Sequence, residues 1–180
     1  VAGIALGAMI GSSQGLRTYL APSLEFLRPL PASAIIPVAI AMLGLTQAMA
    51  LFVIAFGAIW PIMLATIHGF TAVEPRLYEV ARSLQMSRLA VIFKIALPSA
   101  LPDILAGMRL SLTVALILSV VCEILAGLDG LGHWVLLSAR AFRSADLFAG
   151  VILLGATGYL TSVAMSLAER RLLAWQAARR

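Results

Sequence analysis

Residues 31–45, 48–67, 104–128 and 147–167 form four apolar runs almost free of charge, and that pattern leaves the chain few ways to fold. An apolar run near 20 residues matches the length of helix that crosses the hydrocarbon of a bilayer. Inside that hydrocarbon every backbone N–H and C=O must find a partner within its own segment, which an α-helix provides. The runs show no alternation of apolar and polar residues, which excludes a transmembrane β-barrel. Of all residues 62% are hydrophobic and 12% charged, against about 25% charged in a soluble domain. The surplus apolar surface must therefore face lipid. The expected fold is all-α and polytopic, with four full spans.

Residues 1–10 form a shorter apolar run, about 15 Å of helix, which reads as the tail of a partial span. The chain opens on Val1 with no charged segment before it, so an N-terminal portion of the natural protein is expected to be missing. Gly3, Gly7 and Gly11 recur every four residues, a ridge that lets two helix backbones approach closely in lipid. The runs between Pro31 and Ile67 read as a tight hairpin through the uncharged link 44–47, with a kink expected at Trp60-Pro61.

The basic residues orient these spans. Arg17, Arg28, the segment from Arg76 to Arg109 and the C-terminal tail carry eleven Lys and Arg, all in segments that fall on one side. The other side holds Arg140 and Arg143. The richer side is expected to be cytoplasmic, which places residues 12–30, 68–103 and the C-terminus there. The net charge of +5 is spread over these clusters rather than along one stripe, so nucleic acid is not an expected partner. Cys122 is alone, and His68 and His133 fall on opposite sides. No metal site, cofactor or catalytic residue is expected. Glu123, an acid within the run 104–128, is a substrate-path candidate, because an ionisable residue in a span is costly to keep there.

The most polar stretch lies between Ile67 and Ile104. Glu74-Pro75 suits a helix start, and Leu77, Val80, Ala81 and Leu84 recur at helical spacing to give one apolar face. A turn is expected at Gln85-Met86. Ser87 then caps a second helix from Arg88 to Leu97, which Pro98 is expected to end.

The segment Glu79-Val80-Ala81-Arg82-Ser83-Leu84-Gln85, followed by Ile95-Ala96-Leu97-Pro98, resembles the EAA loop of binding-protein-dependent ABC importer permeases. That pattern is Glu-Ala-Ala, three residues, Gly, nine residues, Ile, one residue, Leu-Pro. Val80 stands for the middle Ala and Gln85 for the Gly. A Gly at that point serves a left-handed helix terminus, so Gln85 either accepts a cost of about 1 kcal/mol or more or gives the turn a different shape. Leu27-Arg28-Pro29-Leu30-Pro31, Ala106-Gly107-Met108-Arg109, Gly130-Leu131-Gly132 and Glu169-Arg170-Arg171 are similar to segments of the sulfonate, taurine and nitrate branch.

The resemblance implies a type I ABC importer transmembrane domain over residues 1–175, with a coupling loop at 74–98 and a basic cytoplasmic tail at 176–180. It implies that Leu77, Glu79, Val80, Ala81, Arg82, Ser83, Leu84 and Gln85 meet a cytoplasmic ABC ATPase dimer, while Ile95, Leu97 and Pro98 shape the loop. A second permease subunit (a homodimer), an extracytoplasmic solute-binding protein and the lipid of a bacterial inner membrane are the other implied partners. The implied solute is a small molecule such as a sulfonate, taurine or nitrate. ATP hydrolysis falls to the partner, since the chain carries no GxxxxGK[ST] sequence. A secondary transporter would want paired charges within its spans, a membrane enzyme convergent catalytic side chains. A non-transporting membrane scaffold is the third alternative.

Overall fold

The computed structural model describes residues 1–177, and the tail arginines Arg179 and Arg180 lie outside them. The described chain is helical throughout its elements. Helix α1 (Ala2–Ser12) is followed by α2 (Gln14–Leu27), which Ser13 caps by accepting from the Leu16 N–H. A 3₁₀ turn (Ala32–Ile35) leads into α3 (Ile36–Leu43). Helix α4 runs over Gln47–Thr71, α5 over Pro75–Ser83 and α6 over Arg88–Val91. A π-helical turn (Ile92–Ala96) joins α6 to α7 (Leu97–Ala126). Helices α8 (Leu131–Arg140), α9 (Ser144–Leu172) and α10 (Ala174–Ala177) complete the order.

Three helical runs are long and apolar enough to cross a membrane: Gln47–Thr71, Arg88–Ala126 and Ser144–Leu172. The expected full span over 31–45 takes a different form. Its helix reaches span length only when joined to α2 across a 75° bend. The cause is local. Pro29 and Pro31 leave no N–H donors at the bend, and Gly44 adopts φ +69°, a left-handed conformation that stops α3 after eight residues. Helix α4 continues through Pro61 for all 25 residues.

The chain divides into two compact units, with α4 and α7 contributing to both. One unit holds residues 1–29, 59–110 and the end from Trp175. Its core gathers Phe70, Val73, Ala96, Ala100 and Ile104, flanked by Ile4, Ala8 and Tyr78. The glycine ridge of α1 packs on α4 as its spacing predicts. A Cβ added at Gly7 would meet the Met63 carbonyl at 2.7 Å, and one at Gly11 would meet the Phe70 Cβ at 2.7 Å. Gly69 and Gly107 do the same for the contact of α4 with α7. A Cβ at Gly69 would lie 2.8 Å from the Ala100 Cβ, and one at Gly107 would lie 3.1 Å from the Pro61 carbonyl. The missing side chains let the backbone and the side chains of the neighbouring helix come close at these seams.

The other unit holds residues 30–58 and 111–174. Ile36, Ala39, Met49, Val53, Leu118, Cys122 and Ala126 form its core. The Ser111 hydroxyl donates to the Ala58 carbonyl at 2.7 Å, a bond between α7 and α4. Helix α8 packs along α9, where Gly150 admits Trp134 and Val135. Phe52, Phe148, Ile152 and Leu160 point outward and exposed. Apolar surface on that scale suits lipid rather than water.

Candidate coupling loop

The site lies wholly within the first unit, between the last turn of α4 and the first turns of α7. Pro75 occupies the first position of α5, where its missing N–H costs nothing, and Glu74 precedes it in an extended conformation. Arg76 and Glu74 approach at 3.9 Å with both side chains well exposed, a contact of little energetic weight.

Helix α5 presents two faces. The inner one carries Tyr78 and Ala81. Tyr78 packs against the core cluster of Phe70, Val73 and Ala96, and burial pushes its phenol above the usual range. Ala81 is 2% exposed. The outer face carries Leu77, Val80 and Leu84, which are 38%, 53% and 68% exposed. Glu79, Arg82, Ser83 and Gln85 are exposed beside them. The structure thus splits the expected apolar face. Ala81, expected to meet the ATPase, is turned into its own unit and is not available to a partner. The three larger residues remain outward.

The end of α5 is a complete Schellman motif. The Met86 N–H donates to the Ala81 carbonyl and the Gln85 N–H to the Arg82 carbonyl, both at 3.0 Å. Gln85 takes φ +52°. It therefore adopts the left-handed conformation for which the family pattern uses Gly, and the turn keeps its shape at an energetic cost. Ser87 then caps α6 as expected, accepting from the Ala90 N–H at 3.3 Å.

Pro98 does not end the second helix. Helix α6, the π turn and α7 form one run of 39 residues from Arg88 to Ala126. The lost Pro98 N–H and the clash of its ring with the carbonyl four residues back are accommodated by widening one turn. In that turn the Leu97 N–H donates to the Ile92 carbonyl. Ile95 and Leu97 lean on the core cluster of the unit, so the loop-shaping positions fix the loop's root to the body beneath it. The π turn has no signal in hydrophobic spacing, and a proline followed by continued helical periodicity is the only trace of it in the sequence.

Glu123 lies in the other unit, near the end of α7. Its carboxylate accepts from the Gly132 N–H at 2.7 Å and from the Ser119 hydroxyl at 3.2 Å. No residue pattern signals this engagement, because it joins residues across the turn 127–130.

A family model described as binding-protein-dependent transport system inner membrane component matches residues 3–174. The chain is 36% identical over 174 residues to SsuC of Bacillus subtilis (strain 168), whose name assigns it provisionally to aliphatic sulfonates transport as a permease protein. That match covers 97% of this chain and 63% of the relative. The nitrate import permease protein NrtB of Synechocystis sp. (strain ATCC 27184 / PCC 6803 / Kazusa) is 34% identical over 160 residues, 89% of this chain and 58% of its own length. The bicarbonate transport system permease protein CmpB of Synechococcus elongatus (strain ATCC 33912 / PCC 7942 / FACHB-805) is 32% identical over 161 residues, with coverages of 89% and 58%. The chain thus spans about three fifths of the length of these relatives.

Proposed function

The chain belongs to the family of binding-protein-dependent transport system inner membrane components, and from that premise we propose that it is the permease subunit of an ATP-driven importer whose hydrolysis is carried by a separate ATPase subunit. The observation that carries the proposal is the two-faced helix α5, which keys itself to its own unit through Tyr78 and Ala81 and turns Leu77, Val80 and Leu84 outward. An exposed apolar stripe on a short helix between spans suits a hydrophobic groove on a partner. Glu79, Arg82 and Ser83 lie at its rim, where charge sets register and partner choice. Gln85, held left-handed, ends the docking helix. Ile95, Leu97 and Pro98 root it in the body, so that movement of the docked helix is passed to α7.

The distribution of Lys and Arg supports a cytoplasmic location for residues 12–30, 68–103 and the C-terminus. The segment 129–146 then faces the outer side, where an extracytoplasmic binding protein delivers the solute. With one coupling loop per chain, a second permease subunit completes the pathway, and a homodimer is the simplest assembly. Relatives named for sulfonates, nitrate and bicarbonate support a small anion as the solute.

The test is co-purification of the full-length chain with its ATPase, together with ATP hydrolysis in liposomes stimulated by the loaded binding protein. Val80→Asp and Glu79→Arg are expected to abolish docking and stimulation while membrane insertion persists. Docking that survives both substitutions overturns the coupling role of α5, and the loop is then better read as a helix lying on the membrane surface.

A further inference from the structure

Helix α8 begins at Gly130, a residue with no side chain to accept the free N–H groups of a helix start. Its second helical residue is Gly132, whose N–H donates to Oε2 of Glu123 at 2.7 Å. A carboxylate from the preceding helix thus fills the place of an N-cap side chain. The bond is charge-assisted, and it sets negative charge against the positive end of the α8 dipole. The Ser119 hydroxyl, one turn earlier on α7, donates to Oε1 at 3.2 Å and fixes the carboxylate's orientation.

The two glycines make room for this arrangement. A Cβ at Gly130 would lie 2.5 Å from Oε2 and 2.7 Å from Oε1 of Glu123. One at Gly132 would lie 3.0 Å from Oε2 and 2.8 Å from the Val120 carbonyl. Gly130-Leu131-Gly132 is therefore a cradle folded around one carboxylate. Both oxygens of Glu123 accept hydrogen bonds from within the chain.

We propose that Glu123 is a positioning residue for transport: it clamps α8 to the end of α7, so that an event at the segment 129–146 is delivered into the helix whose other end leaves the coupling turn. That helix runs without interruption from Arg88 to Ala126 and ends three residues beyond Glu123. Helix α8 in turn holds α9 through Trp134 and Val135 at Gly150. The transport role rests on the importer reading above. The clamp itself does not.

Two measurements on the full-length chain separate the clamp from the reading. The first is hydrogen exchange of the α8 amides in lipid nanodiscs. The second is stimulation of the ATPase by the loaded binding protein in the reconstituted complex. Glu123→Gln retains an oxygen that accepts from Gly132, and is expected to keep α8 protection and stimulation within about twofold of wild type. Glu123→Leu and Gly132→Ala each lose the bond, and are expected to raise exchange at the start of α8 about tenfold or more. Both should lose most of the stimulation at an unchanged half-saturating concentration of binding protein. The double variant should be no worse than the more impaired single one, as for two changes that break one contact.

Should Glu123→Leu fail to insert, Gly132→Ala compared with Glu123→Gln carries the same test with the carboxylate in place. Unchanged exchange in Glu123→Leu and Gly132→Ala overturns the clamp. A Glu123→Gln variant that loses stimulation with α8 still protected overturns the positioning role, since the negative charge is then needed for the solute. Exchange that follows the expected pattern in a complex never stimulated by any binding protein overturns the importer reading, and with it the transport role.

Discussion

At the residue scale the coupling loop turns on two positions. Gln85 holds φ +52° at a helix terminus that prefers glycine. Gln85→Gly is expected to raise stability by about 1 kcal/mol, read as an increased melting temperature, with coupled hydrolysis retained. The family spacing marked this position and left two outcomes, a strained Gln85 or a reshaped turn, of which the structure shows the first. The inward turn of Ala81 was not legible. Leu77, Val80, Ala81 and Leu84 share an apolar arc, and spacing alone does not say which member is covered. Ala81→Asp is expected to destabilise the chain by about 3 kcal/mol, because it buries a charge without a partner. Val80→Asp, on the exposed side, should change stability by only about 0.5 kcal/mol. Denaturation in detergent compares the two, and it explains why Val80 rather than Ala81 is the informative probe of docking. Tyr78 adds a dependence on pH. Burial favours its protonated form in the folded state, so its contribution is present below the ordinary tyrosine value, about 10, and is lost as pH rises beyond it. Melting temperatures between pH 8 and 11 are expected to fall less steeply in Tyr78→Phe than in the wild type.

At the scale of elements, hydrophobic runs located the long helices well and their ends poorly. Runs 48–67 and 147–167 lie within spanning helices and run 104–128 overruns its helix by two residues, since length and apolarity are what such helices need. The run 31–45 has the composition of a span and the geometry of a short helix beyond a bend, because Gly44 and the flanking prolines act on backbone angles that apolarity does not report. Pro98 shows the opposite error. A proline ends a helix when nothing compensates the lost bond, and here one widened turn keeps the helix continuous. Pro98→Ala restores the donor and allows that turn to close to ordinary α geometry. Closing that turn shifts the register of the segment before it by one residue, about 100° of helix rotation relative to α7. The expected result is a complex that still assembles with its ATPase but loses most of the stimulated hydrolysis. Retained stimulation in Pro98→Ala would show that the π turn is not needed for coupling.

At the scale of the molecule, small residues were the legible feature, and charge supplies a prediction of orientation. The lopsided placement of Lys and Arg supports one orientation of all the spans. Single-cysteine variants at Gln85 and Arg143 in a Cys122→Ala background are expected to react with an impermeant reagent from opposite faces of sealed vesicles. Labelling of both from one face would refute the orientation. The glycine ridge of α1 was legible, because a four-residue repeat of the smallest side chain has few uses in a helix beyond close approach. Its partner on α4 was not legible, as a sequence does not say which helix lies opposite.

That seam has a mechanical property as well as a structural one. Interlocked side chains oppose translation, because each knob must climb out of its hole. The glycines of α1 have no knobs of their own, but each is a hole filled from the other side, since Ile62, Thr66 and Phe70 of α4 face Gly3, Gly7 and Gly11. A shift of α1 along α4 must lift three side chains out of three notches about 6 Å apart. The first unit is thereby keyed along this seam beside the coupling loop, in a protein whose proposed task is to turn the motion of one subunit into the motion of another.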